Sequence, residues 1–180
     1  MTKPLSCKTD FAKGEIQSML SALMQTTTLD SAPAYWFLNA LHILLAKSEA
    51  TGSAYSLIHL TAPPNFDTPY HLHHDEDEAF YVLEGEFTVI CGGEKAVLGA
   101  GGYIFLPRGV PHGFRSGSAK DSRVLIHVMP GKEVGFVGMM LDMAVPVRDG
   151  VLPASTPPDL QRLETLCKKN GIEVLGPLPE

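Results

Sequence analysis

Apolar and polar positions alternate along much of this chain. From Glu78 onward, Glu78, Phe80 and Val82 fall on one face of an extended strand, and Ala79, Tyr81 and Leu83 on the other. The same period of two, or a short β-prone apolar run, returns over 35–46, 53–61, 86–91, 94–98, 103–106 and 123–129. Turn residues separate these runs: Thr51-Gly52, Pro63-Pro64-Asn65, Gly92-Gly93 and 117–121. Short strands with turns between them and no intervening helices predict an antiparallel barrel or sandwich.

Helical spacing appears only at the two ends. Ile16, Met19, Leu20, Leu23 and Met24 form one stripe over 11–24. Thr156-Pro157-Pro158-Asp159 opens a second helix, with Thr156 as its cap and an apolar stripe of Leu160, Leu163, Leu166 and Cys167. Asn170-Gly171 closes it, and Glu164 and Lys168 are spaced to pair on its surface. The run 134–145 is apolar and holds three methionines. It reads as a helix packed on the barrel, or as an adaptable lid over its mouth. The chain divides into an N-terminal helical extension (1–30), a barrel (31–130) and a C-terminal helical segment of the same domain (131–180).

Chemistry concentrates in two stretches. The first, 69–85, reads PYHLHHDEDEAFYVLEG. His71 and His73 lie two residues apart, about 6.7 Å along a strand, and face the same way. Glu78 has the wrong parity for one unbroken strand, and a polar turn over 74–77 would re-phase it. The second stretch, 101–114, reads GGYIFLPRGVPHGF; Pro107-Arg108-Gly109 is turn chemistry, and His112 follows three residues later. Three imidazoles and a carboxylate would suit a divalent Fe, Ni, Co, Mn or Zn ion without choosing among them. The run Asp75-Glu76-Asp77-Glu78 leaves the carboxylate ambiguous by composition. Glu78 is favoured because it begins the strand. Glu76 reads as a solvated turn residue or as a partner for a histidine N–H. His74 points away from His73, and His42 and His59 read as packed strand histidines. Arg108 reads as a surface turn residue.

Together the two stretches resemble the paired signature motifs of the cupin superfamily. His71, His73, Glu78 and Gly85 fit the first motif, and Gly101, Pro107, Gly109 and His112 the second. Four residues past His112, where the family often has Asn, stands Ser116. The resemblance spans roughly 55–130. It implies a mainly β fold, a single jelly-roll β-barrel with an N-terminal helix and C-terminal helices packed outside. It further implies one metal held by His71, His73, Glu78 and His112. Within the superfamily, APPNFDTPYHLHHDEDEAFYVLEGEF, FLPRGVPHGF and NGIEVLGPLP resemble small single-domain proteins described as quercetin dioxygenase-like. That group implies a flavonol bound through its deprotonated hydroxyl, with Glu78 as catalytic base, and ring cleavage by dioxygen with loss of carbon monoxide. An oxygen-independent isomerase or lyase, and a non-enzymatic small-molecule binder, stay open beside it.

Parity places Phe80, Val82 and Phe114 on the walls of an apolar pocket, with Tyr70 and Phe105 in reach, so the expected substrate is small and apolar or aromatic. Composition narrows the partners. Apolar content of 44% and charged content of 19% are those of a globular domain. A net charge of −6 without a basic cluster argues against nucleic acid. No apolar run is long enough to span a membrane. Cys7, Cys91 and Cys167 are odd in number and far apart, which predicts no disulfide framework and a reducing cytoplasm. The long apolar run 35–45 predicts a homodimer.

Overall fold

The computed structural model describes residues 24–180, so the helix expected over 11–24 lies outside the described residues except for its last position. The strands are β1 (Ala34–Phe37), β2 (Ala40–Ala46), β3 (Ser56–Ala62), β4 (Tyr70–His73), β5 (Asp77–Glu84) and β6 (Glu86–Cys91). They continue as β7 (Glu94–Gly99), β8 (Tyr103–Leu106), β9 (His112–Ser116), β10 (Ser122–Met129), β11 (Val145–Pro146) and β12 (Ile172–Gly176). Two α-helices, α1 (Phe136–Met143) and α2 (Leu160–Lys169), interrupt the series near its end. The strands form two antiparallel sheets, ordered β11-β1-β2-β3-β10-β5-β8 and β12-β4-β9-β6-β7.

The inner face of the larger sheet is built in rows. Phe80, Ile126, Ile58 and Leu44 lie side by side across four strands, and all are buried. Each side chain of that row contributes roughly 1.5–3 kcal/mol by leaving water. The next row is Val82, Val124, Leu60 and His42, which makes His42 a polar group in an apolar layer. Consecutive strands β4 and β5 belong to different sheets. The chain therefore crosses the barrel over residues 74–76, and that crossing is the physical reason for the parity break between His73 and Glu78.

The glycines of the first stretch and of the turn before His112 are required by backbone geometry. Gly85 has φ +76°, and a Cβ there would strike Ser122. Gly109 has φ +74°, and its N–H donates to His73 O at 2.7 Å, stitching the turn before His112 to the His71–His73 strand. Ser116, in the place of the expected Asn, donates through Oγ to Pro63 O at 2.6 Å and accepts from Phe66 N at 3.0 Å, fixing the 63–69 loop.

Several elements differ from the sequence reading. The apolar run 35–46 is a hairpin and not one long strand. Leu38 and Asn39 form its two-residue turn with φ of 50° and 64°, a conformation the pattern signalled with no glycine. Folding back on itself accounts for the length of the run within one chain, so the run no longer argues for a homodimer. The C-terminal segment is not only helical: β12 adds an edge strand beside β4. The cap of α2 is Asp159, whose side chain accepts from Arg162 N at 3.0 Å. Thr156 instead exchanges two hydrogen bonds with the Asn39 side chain. Lys169 pairs with Asp142 of α1 at 3.0 Å, and no Glu164–Lys168 pair occurs among the described residues. Both helices pack against the barrel, with Val137, Met139, Met140, Leu163 and Cys167 buried.

Candidate metal centre

Strand β4 presents His71 and His73 from one face, flanked by β12 on one side and β9 on the other. His112 opens β9 directly opposite His71. Glu78 reaches in from β5 of the other sheet. Ligand atoms of these four side chains lie within 4.8 Å of one another. His73, His112 and Glu78 are 1%, 1% and 4% exposed, so the cluster is a built interior site.

The proton inventory shows what this cluster lacks. Nδ1 of His71 lies 2.8 Å from Pro69 O, and Nδ1 of His112 lies 2.9 Å from Val110 O. A carbonyl only accepts, so each Nδ1 carries a proton and, in the neutral ring, each Nε2 offers a lone pair. Nδ1 of His73 has no full hydrogen bond and faces Glu76 Oε2 at 3.5 Å. The Nε2 atoms turn inward: His71 to His73 at 3.1 Å, His112 to Glu78 Oε2 at 3.3 Å, His73 to Glu78 Oε1 at 3.9 Å. Lone pairs and a carboxylate this close repel unless a cation stands among them. The donor set therefore fits one divalent transition metal ion, in a mixed nitrogen and oxygen environment.

The acid–base properties of the four report the same crowding. Burial pushes the His71 imidazole down, and the neighbouring His73 and His112 push it further, to about 3. Burial would raise the Glu78 carboxyl, but His73 and His112 beside it pull it down to about 2, so it is ionised at neutral pH. For His112 burial acts downward, and the hydrogen bond to Glu78 overcomes it and raises the imidazole above its ordinary value.

Residues around the four hold them in place. Glu76 is buried, faces His73 and accepts the Phe136 N–H at 2.7 Å, where α1 begins. A Cβ at Gly135 would collide with that carboxylate, so only glycine lets the helix start this close. Of its two sequence readings, Glu76 is thus the buried histidine partner and not a solvated turn residue. Phe136 also meets the His73 ring edge-on at 5.8 Å. Arg108 grips Asp77, next to Glu78, with Nε to Oδ1 at 3.1 Å and a terminal guanidinium nitrogen to Oδ2 at 2.6 Å. That contact first of all holds the Asp77 carboxyl below its usual range. His74 is exposed and faces Glu173 at 3.5 Å.

A small apolar cavity of about 60 Å³ opens onto the cluster at His71 and Glu78. Phe80 and Phe114 line it, with ring centroids 5.3 Å apart. Three other pocket expectations do not fit. Tyr70 has the opposite parity to His71 on β4 and points away. Phe105 lies on the outer face of β8, 48% exposed, because its neighbour Leu106 takes the inward place opposite Glu78. Val82 is inward but sits a row beyond Phe80, sealed in the core without surface on the cavity. The remaining walls come from residues the pattern did not assign to the pocket, including Phe37, His42, Phe66, Phe136 and Met139. His42 is held by Nδ1 to Ala40 O at 3.2 Å, and burial pushes its imidazole down to about 4. The parity of β2 and the apolar N-terminal half of α1 were the available signals. The hairpin turn that brings β1 over the cavity left none.

Comparison with known proteins agrees with this arrangement. The cupin domain family matches residues 58–129. A curated quercetin 2,3-dioxygenase from Bacillus subtilis is 29% identical over 97 residues, 54% of this chain, and the match spans 28% of that protein's length. Among solved structures, the polyketide cyclase RemF from Streptomyces resistomycificus superposes with a TM-score of 0.52 at 27% identity, covering 59% of this chain and 79% of that one. An RmlC-like cupin from Shewanella frigidimarina superposes with a TM-score of 0.53 at 20% identity, covering 61% and 94%. Two antiparallel sheets folded as in these structures carry both signature stretches to one buried cluster, and residues 58–129 form a cupin domain.

Proposed function

We propose that this chain is a metal-dependent dioxygenase acting on an enolizable aromatic small molecule. His71, His73, Glu78 and His112 would hold one divalent ion of Fe, Ni, Co, Mn or Zn. The observation that carries this reading is the convergence of three imidazoles and one ionised carboxylate in a buried cluster, with Nδ1 of His71 and His112 turned out to backbone carbonyls so that their Nε2 atoms face inward. The ion would supply positive charge that acidifies a hydroxyl beside it and, if redox-active, electron transfer to dioxygen. The rest falls to the chain. His71 and Glu78 are the two ligands that border the cavity, so a substrate hydroxyl arrives at Glu78. The Glu78 carboxylate accepts the hydroxyl proton, a transfer that its low pKa permits only from an acidified donor. Phe66, Phe80 and Phe114 present apolar surface to the ring and keep water from the emerging enolate. The partial match to a quercetin dioxygenase supports an aromatic enol as substrate.

Elemental analysis of protein purified without chelator tests the centre, with about one equivalent of transition metal per chain expected. Oxygen uptake with flavonols tests the reaction, and Glu78→Gln should abolish it. Protein that takes up no metal even on reconstitution would overturn the reading. A second reading, metal-assisted proton transfer without oxygen, draws on the similarity to a polyketide cyclase. Turnover that persists under nitrogen would select it.

A further inference from the structure

The inner cavity is too small for the substrate just proposed. At about 60 Å³ it falls well short of the roughly 150 Å³ that an engineered cavity offers a single benzene ring. It does not end blindly. Leu38, Phe66, Thr68, Pro69, Leu163 and Val174 line both this cavity and an outer groove of about 620 Å³. The groove runs between the β1–β2 turn, the 63–69 loop, the start of α2 and the end of β12. Its size is that of a small-molecule cleft.

The lining of the groove has a distinct chemistry. Pro158, Leu160 and Pro177 give it apolar surface, and Leu160 is 65% exposed there although it belongs to the apolar stripe of α2. Its charged residues are Asp67 and Glu164, with Asp67 already paired to Arg115. Among the described residues, no lysine or arginine lines either chamber. An anionic group entering the groove would meet the Glu164 carboxylate and, among the described residues, no lysine or arginine in the lining to compensate it.

We infer that the substrate spans both chambers. Its oxygen-bearing head lies at His71 and Glu78, an uncharged apolar extension passes between Leu38 and Leu163, and the outer groove selects against extensions that carry a carboxylate, sulfonate or phosphate. This inference rests on the metal centre proposed above and adds to it the shape and charge of the ligand.

Nickel-loaded protein under nitrogen provides the test, with absorbance titration of three probes sharing one metal-binding head. Maltol is the head alone, 3-hydroxyflavone adds an uncharged extension, and its phenyl-sulfonated derivative adds an anionic one. Wild-type protein should bind 3-hydroxyflavone at least about tenfold more tightly than maltol, and the sulfonate about tenfold less tightly than 3-hydroxyflavone. Two exposed groove positions localise the effect without endangering the fold. Leu160→Asp should weaken 3-hydroxyflavone several-fold and leave maltol unchanged. Glu164→Lys should restore the sulfonate and leave maltol unchanged. Equal affinities for maltol and 3-hydroxyflavone, or a sulfonate affinity indifferent to Glu164→Lys, would overturn the two-chamber inference while maltol binding upholds the metal centre. If the protein takes up nickel but no probe binds, the open centre and this inference fall together.

Discussion

Glu76→Gln isolates the electrostatic hold on one histidine. Glu76 Oε2 is the oxygen facing His73 Nδ1, and it also accepts the Phe136 N–H. Glutamine keeps the volume and can still accept from Phe136 through its amide oxygen. The lost feature is the negative charge beside an imidazole that has no other hydrogen-bond partner at Nδ1. Removing such a support from a metal-binding histidine typically costs 10–100-fold in metal affinity, about 1.4–2.8 kcal/mol. The fold should barely notice, because the helix-start hydrogen bond survives. Glu76→Ala removes that hydrogen bond as well, orphaning a buried N–H and opening a void, and should cost a further ~2–4 kcal/mol of stability. Competition against a chromogenic chelator gives the metal affinity, and urea unfolding of metal-free protein gives the stability. Gln weakened in metal binding but near wild type in stability, with Ala weakened in both, is the expected pattern. A Glu76→Gln protein that binds metal as tightly as wild type would refute the reasoning.

Three other consequences are open to measurement. Metal at a thousandfold excess over its dissociation constant should stabilise the folded chain by about 4 kcal/mol, raising Tm by roughly 8–16 °C, and His112→Ala should lose most of that rise; equal melting with and without metal would contradict the site. His42 is buried with its imidazole at about 4 against 6.5 in the unfolded chain. The unfolded state therefore gains its proton first as pH falls, so this contribution is whole above pH 6.5, declines between 6.5 and 4, and totals at most about 3 kcal/mol. Urea unfolding at pH 7 and 4.5 should show a shallower acid loss in His42→Phe, whereas parallel losses would remove His42 from the account. Gly85→Ala should cost about 2–4 kcal/mol by chemical denaturation, because φ is positive and the new methyl strikes Ser122; a neutral substitution would mean that the turn can relax.

The four side chains that converge were legible in the sequence because β-strand parity and turn residues are local. His71 and His73 declare a shared face by spacing alone, and Pro107-Arg108-Gly109 announces the turn that delivers His112. Ranges read from alternation agree closely where a strand is bounded by glycine or proline, as for Tyr103–Leu106 and Glu86–Cys91. What stayed hidden depended on contacts distant in sequence. Leu38 and Asn39 adopt a turn that usually carries glycine, so the hairpin gave no sign of itself. Phe105 and Leu106 are both apolar, and only the register against β5 decides which one faces Glu78. The strand Ile172–Gly176 is five residues long and alternates weakly, and pairing with β4 is what makes it a strand.

That last pairing changes how the centre is held. β4 shares only one register pair with β9, His71 opposite His112, whereas β12 runs alongside Tyr70, His71, Leu72 and His73. The His71–His73 strand is thus secured mainly by a segment about a hundred residues later in the chain. Helix α2 leads directly into β12 through Asn170-Gly171, and Gly171 O accepts the His74 N–H at 2.9 Å. Helix α1 meets the centre separately, through Phe136 N on Glu76, and is tied to α2 by Lys169 on Asp142. Two of the three histidines therefore take their backbone position from β12, and one takes its carboxylate from a side chain that α1 holds. The cupin stretch 58–129 supplies all four side chains of the cluster, but the tail supplies much of the frame that keeps them converged. Weakening the tail should on this argument lower metal affinity before it lowers β-sheet content, since β5 and β10 pair along seven register positions without any help from it.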